Sequence, residues 1–229
     1  MKSKVLVMLS VLLMAATSFA GTLVIENAGF ETDTAPVVGA TGWTITSGGT
    51  DWFTSTAGAP DSSVDPDTAA EGGNWLSGNR LVTGAGSSSN PQTIVQLIDI
   101  SADAAMVDLG TAIVNLDFMF ADNDPLDDAT VNITFFSDVA GTTVIGTALS
   151  TGIIAQTAGE YNLPAAWEAR SLSGVVPAFA RSIEIEIVNN RLGGSAGNTH
   201  FDDFSGAIVP EPATLVLLGL GSVLLRRRK

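Results

Sequence analysis

The middle of the chain alternates. Val114, Leu116, Phe118 and Phe120 are apolar, with Asn115 and Asp117 between them. Val131, Ile133 and Phe135 repeat the pattern, and Ile183-Glu184-Ile185-Glu186-Ile187 keeps it without a break. A period of two puts successive side chains on opposite faces of a strand, one apolar and one wet. Shorter alternating segments, bounded by Gly, Pro, Asn and Asp, fill the remainder. The pattern predicts strands over 22–26, 43–46, 52–55, 74–77, 93–100, 112–120, 130–136, 143–149, 166–172, 182–188 and 199–208. No stretch sustains a helical period, and 101–109 is the one short helix expected, with Ser101 as its cap. Many short strands without an internal repeat fit an all-β fold: a single antiparallel β-sandwich, a jelly roll, over residues 21–208. An acidic loop over 48–73 and a Gly/Ser-rich loop over 84–91 interrupt it, and neither reads as a linker between domains.

The two ends break this pattern. Lys2 and Lys4 precede an almost wholly apolar run, residues 5–16, and Ser18-Phe19-Ala20 places small residues where signal peptidase reads them. Residues 1–20 are therefore a signal peptide cleaved after Ala20. At the other end Pro210-Glu211-Pro212 leads into 13 uncharged residues, 213–225, and then Arg226-Arg227-Arg228-Lys229. Pro212 suits the first position of a helix, and the arginines can snorkel to the headgroups, so a short transmembrane helix is expected. The terminal bases would stay cytoplasmic and leave the middle outside.

Charge narrows the partners. Between Gly21 and Val209 there are 23 acidic and four basic residues, the latter Arg80, Arg170, Arg181 and Arg191. A net charge of −19 there repels phosphate backbones, which excludes nucleic acid and favours divalent cations or neutral ligands. There is no cysteine and a single histidine, His200. Disulfides, thiolate or multi-histidine metal centres and cysteine nucleophiles are thereby excluded.

With those residues in view, the C-terminus resembles the PEP-CTERM sorting signal: Pro-Glu-Pro, an apolar helix and an arginine cluster, in that order, over 209–229. The resemblance implies export in a Gram-negative-type bacterium and processing by exosortase after transient membrane anchoring. The destination is the cell surface or an exopolysaccharide matrix. Its signal residues here are Pro210, Glu211, Pro212, Arg226, Arg227 and Arg228.

The middle has a resemblance of its own. The opening Asn27-Ala28-Gly29-Phe30-Glu31 with Gly42-Trp43, the internal Gly73-Asn74-Trp75-Leu76 and the closing Phe201-Asp202-Asp203-Phe204 are similar to strands of galactose-binding-like jelly rolls. That group includes many carbohydrate-binding modules. It implies a structural Ca²⁺ held by Glu31 and Asp202, with Asp203 as a further ligand. The chemistry agrees, since calcium takes six to eight hard oxygens. Alternation puts Asp202 in phase with His200 and Phe204, and Asp203 in phase with Phe201; it does not say which set faces inward.

The remaining chemistry is sparse. The acidic stretch 122–128 lacks the glycine and glutamate of an EF-hand and reads as a solvated turn. His200 beside Asp202 and Asp203 has the makings of a base and its orienter, but no nucleophile elbow accompanies it. Aromatic rings hold sugars by covering the C–H face of a pyranose. The supply is Trp43, Trp52, Trp75, Trp167 and Tyr161, of which Trp52 and Trp167, beside loops, are the candidates for carbohydrate. With no catalytic motif, the expected function is a non-enzymatic exported surface or matrix protein that binds exopolysaccharide. The alternatives are a glycan hydrolase or lyase on a jelly roll, and a purely structural or adhesive component.

Overall fold

A computed structural model describes residues 20–48, 51–59, 66–79, 90–123, 127–155, 165–193 and 197–211. They form two antiparallel sheets packed as a sandwich. Twelve strands are present: β1 (Gly21–Thr22), β2 (Val37–Val38), β3 (Thr44–Ser47), β4 (Phe53–Thr56), β5 (Asn74–Ser77), β6 (Gln92–Asp99), β7 (Ala112–Asp122), β8 (Asp128–Phe136), β9 (Leu149–Ser150), β10 (Glu168–Val175), β11 (Ser182–Asn190) and β12 (Thr199–Pro210). The larger sheet runs β10-β7-β12-β5-β4-β2, with β1 added to β12, and the smaller runs β3-β6-β11-β8-β9.

The alternating segments are the long central strands. Leu116, Phe118 and Phe120 of β7 face Ile133, Phe135, Ile185 and Ile187 of the other sheet's strands across one core, each almost fully buried. Between β6 and β7 the chain makes a 3-10 turn, Ser101–Asp103, and one helical turn, α1 (Ala104–Val107). Ser101 does not cap it through its side chain. Instead its own N–H donates to Asp99 Oδ1 at 2.7 Å.

Two predicted strands shrink. In the region 143–149, Val144 makes one bridge to Phe136 before β9 begins. The backbone is left-handed at Gly141 and Gly146, which takes it out of the ladder on either side of that bridge. In 22–26 the pairing ends early, with Leu23 N–H donating to Gly206 O. Close approach there needs glycine: a Cβ on Gly206 would lie 2.7 Å from Leu23 Cδ1.

Gly21 pairs with Ile208, so the first and last strands described lie side by side. No helix among the described residues is long and apolar enough to cross a membrane. The expected signal peptide, apart from Ala20, and the expected span over 213–225 lie outside the described residues.

Candidate functional site

The closing strand contains the feature that organises the site. β12 pairs with β7 in register through Asp202↔Met119 and resumes at Ser205↔Asp117, so one extra residue is accommodated. This is a β-bulge, with Asp203 in the left-handed region at φ 49°. The extra residue rephases the strand. Phe201 and Phe204 both enter the core, at 0% and 3% exposure, although they are three positions apart. Asp202 is buried as well, beneath the loop 66–73, and Asp203 projects to solvent. Simple alternation fails here because a bulge shifts the period within the strand.

Asp202 anchors that loop. Its Oδ2 accepts N–H bonds from Ala70 (2.8 Å) and Glu71 (3.1 Å), and its Oδ1 accepts from Asp203 N (2.8 Å). Burial pushes its carboxyl up to about 6, against the pull of these three N–H groups. Glu31 holds the next residues: its Oε1 accepts from Gly73 N and Asn74 N, both at 2.8 Å. Gly72 lies under that carboxylate with φ +65°, and a Cβ there would sit 2.4 Å from Oε1. Both conformation and space therefore require glycine at this position.

The turn before Glu31 is equally constrained. Asn27 and Phe30 have φ of 52° and 61°. The latter turns the Phe30 ring into the core, 6.0 Å from Trp43 and 6.2 Å from Phe204. Ala28 O accepts from Phe204 N–H at 3.0 Å, which joins the opening segment directly to the closing one. Glu31 and Asp202 thus meet on the Ala70–Asn74 segment from opposite ends of the chain. Asp33, which the sequence reading passes over, gathers Asn27 Nδ2, Thr41 N and Oγ1, and Thr54 Oγ1. Burial alone would raise its carboxyl, yet these bonds leave it below the ordinary value.

Glu71 and Asp203 form a carboxyl pair at the rim. A hydrogen bond to Asp203, and then the charge of Asp203, hold the Glu71 carboxyl above its ordinary value. Beside them the outer face of the larger sheet forms a groove of about 330 Å³, lined by Asp117, Met119, Ala169, Ser171, Asp203 and Ser205. Trp167, in phase with Ala169, is half-buried, and its Nε1–H donates to Thr68 O at 2.8 Å. It therefore ties the loop to the strand that borders the groove.

The other candidates fall elsewhere. Trp52 is 0% exposed, with its ring centroid 6.4 Å from that of Phe201. A ring enclosed on both faces has none to offer a pyranose, so Trp52 is removed from the carbohydrate candidates. Trp43 and Trp75 are buried too, and Tyr161 lies outside the described residues. His200 is 0% exposed, which denies it access to a substrate.

The described residues of the acidic stretch 122–128 are not solvated: Asp122, Asn123, Asp127 and Asp128 are all buried. Asp127 Oδ1 accepts from Leu192 N at 2.9 Å, and Asp128 Oδ1 from Asn190 Nδ2 at 2.7 Å. These carboxylates bind the β7–β8 connection to the end of β11. Among the described residues no group of three or more His, Asp or Glu side chains is arranged to hold a metal by itself.

Residues 209–229 match the PEP-CTERM protein-sorting motif. The chain thus carries a signal for export and surface-associated sorting, with exosortase as its processing enzyme. No curated protein matches the sequence. Among solved structures, the chain is similar to a Stig cyclase, Fisc, from Fischerella sp. TAU, at a TM-score of 0.58 and 15% identity, over 84% of this chain and 100% of the cyclase. It is also similar to the enzymatically active domain of tailspike protein 4 from bacteriophage CBA120, at 0.51 and 16%, over 82% of this chain and 21% of that one. A carbohydrate-binding module, TmCBM61 in complex with β-1,4-galactotriose, aligns over 82% of this chain and 99% of its own at a TM-score of 0.46 and 14% identity.

The cyclase and the tailspike domain are enzymes, which overturns the expectation that the chain is not one. That expectation rested on missing motifs, and a shared fold can host chemistry that uses none of them.

Proposed function

We propose that the exported jelly roll binds an uncharged polysaccharide along the groove between β7, β10 and β12, with calcium securing the loop that forms its rim. The observation that carries this reading is Trp167. It is the described tryptophan left partly exposed, two residues before Ala169, which lines the groove, with its N–H already engaged. The net charge of −19 over residues 21–209 favours a neutral glycan over an anionic one, and the groove itself holds Asp117 and Asp203 against Arg170. Calcium would be held by Glu31 and Asp202, with Asp203 beside them. They suit it because Glu31 and Asp202 both engage the 70–74 segment and because calcium completes its shell with backbone carbonyls as readily as with carboxylates.

The Glu71–Asp203 pair favours a second reading, in which the bound glycan is also cleaved. A carboxyl whose hold on its proton is strengthened by a neighbouring carboxyl is the arrangement general acid–base chemistry uses. A glycan array with the mature protein tests both. Binding to neutral glycans, lost in Trp167→Ala with the melting temperature retained, is the expected result. Binding that survives Trp167→Ala would remove the groove reading. Release of reducing or unsaturated ends, abolished by Glu71→Gln, would establish cleavage.

A further inference from the structure

One end of the sandwich carries exposed apolar residues close to where the chain leaves it. The turn after α1 and the turn between β10 and β11 pack together there. Asp108 accepts from Arg181 Nη1 and Nη2 at 2.9 and 3.0 Å and from the backbone N–H of Phe179. From this base Leu109 and Phe179 project at 74% and 61% exposure, with Val175 beside them at 56%. Phe179 sits at φ 71°, a conformation that a bulky side chain adopts only when its surroundings impose it.

The chain leaves the domain at this same end. The last pair of β12 is Pro210↔Ala112, and Glu211 N–H donates to Thr111 O, two residues from Leu109. Only Pro212 then separates Glu211 from the apolar run at 213–225. One residue spans at most about 3.6 Å. Gly21, the first residue after the expected cleavage site, pairs with Ile208, so a chain that still carried its leader would also enter here.

We propose that this end is a membrane-facing surface: Leu109, Phe179 and Val175 rest in the headgroup and acyl boundary of the bilayer while the tail is in place. The inference depends on the reading of 213–225 as a membrane span. With no slack between the last strand and that span, this face is held at the bilayer whatever its composition. Its apolar tips suit such contact, and Arg181 neutralises Asp108, one of the carboxylates at an end that also holds Asp99, Asp103 and Asp138. Seating on lipid would fix the height of Pro210-Glu211-Pro212 at the bilayer surface, where a membrane enzyme must find it.

The absence of cysteine allows single nitroxide labels on the full-length protein at Leu109→Cys, Phe179→Cys and Leu192→Cys. Leu192 is a matched control: it is apolar and 65% exposed, but lies beyond the far end of β11, about 30 Å away at ~3.4 Å per residue. The protein is reconstituted in phosphatidylcholine vesicles and floated. Each label is then relaxed with oxygen, which concentrates in lipid, and with a water-soluble nickel chelate.

Labels at 109 and 179 should respond several-fold more to oxygen than to nickel, and the label at 192 the reverse. Flotation with all three labels equally aqueous would overturn the membrane-facing surface and leave the span intact. Protection of 109 and 179 from both reagents would mean that protein, such as a second copy, covers the face, and would overturn it too. Failure to float would remove the span reading and the inference with it. Should Phe179→Cys not fold, Leu109→Cys and Val175→Cys decide.

Discussion

Asp202→Ala should lower stability by about 3 kcal/mol and loosen the loop 66–73. The substitution removes the acceptor of three backbone N–H bonds, and a buried donor left unpaired costs about 1–3 kcal/mol. The total stays below the sum because the Ala70 and Glu71 amides reach water once the loop lifts. At ~2–4 °C per kcal/mol for a chain of this size, melting should fall by roughly 6–12 °C.

Calcium sharpens the test. A ligand at a hundredfold excess over its Kd adds about 2.7 kcal/mol to the native state. Calcium should add this to the native protein well beyond magnesium at equal ionic strength, and add little to Asp202→Ala. Equal effects of the two ions would mean that the carboxylates serve only the backbone.

The same residue sets a pH dependence. The Asp202 carboxyl in the native state lies near 6, above its ordinary value of 3.8. Between those values the native state holds a proton that the unfolded chain has released. The contribution of Asp202 to stability is therefore fully present below about pH 4, falls as pH rises, and levels off above about 6. Asp202→Asn should flatten that window in urea titrations. Bound calcium should pull the carboxyl down, so its affinity should weaken below about pH 6.

Phe204→Ala should be the more damaging change, at about 3–5 kcal/mol, or roughly 6–20 °C in melting temperature. The ring stacks on Phe118 at 5.3 Å and lies 5.4 Å from Trp43, 6.2 Å from Phe30 and 6.4 Å from Phe201. Its loss leaves a cavity at the junction of the opening and closing segments, and those partners belong to several separate elements that cannot all collapse into it. Leu109→Ala, at 74% exposure, is the control and should stay within about 0.5 kcal/mol in aqueous solution. A loss below 1 kcal/mol for Phe204→Ala would contradict the core assigned to the bulge.

The long strands were legible in the sequence because burial on one face writes a period of two into β7, β8 and β11. β2 left no such trace: it has two residues, both valines, and its pairing with β4 is decided by the partner. The tryptophans show the same limit. Trp52 and Trp167 both border loops in the sequence, yet one is enclosed and the other half-exposed, because residues distant in the chain cover the first and not the second. Asp127 and Asp128, in the acidic stretch 122–128, looked solvated for their charge, a pair of carboxylates beside a turn. What engages these two is the end of β11 and the residues just after it, more than sixty positions away.

By itself the sequence determined the all-β class, the sorting signal and the acidity of the middle of the chain. Each is a local or additive property, read from period, composition or a contiguous motif. Only the tertiary structure decided that both Phe201 and Phe204 face inward, that Asp202 is buried under a loop while Asp203 meets Glu71 at a groove, and that the two ends of the domain emerge together beside Leu109 and Phe179. These depend on one inserted residue in a strand and on contacts between segments far apart in the chain. Spacing along the sequence does not encode such contacts; the packing of the two sheets does.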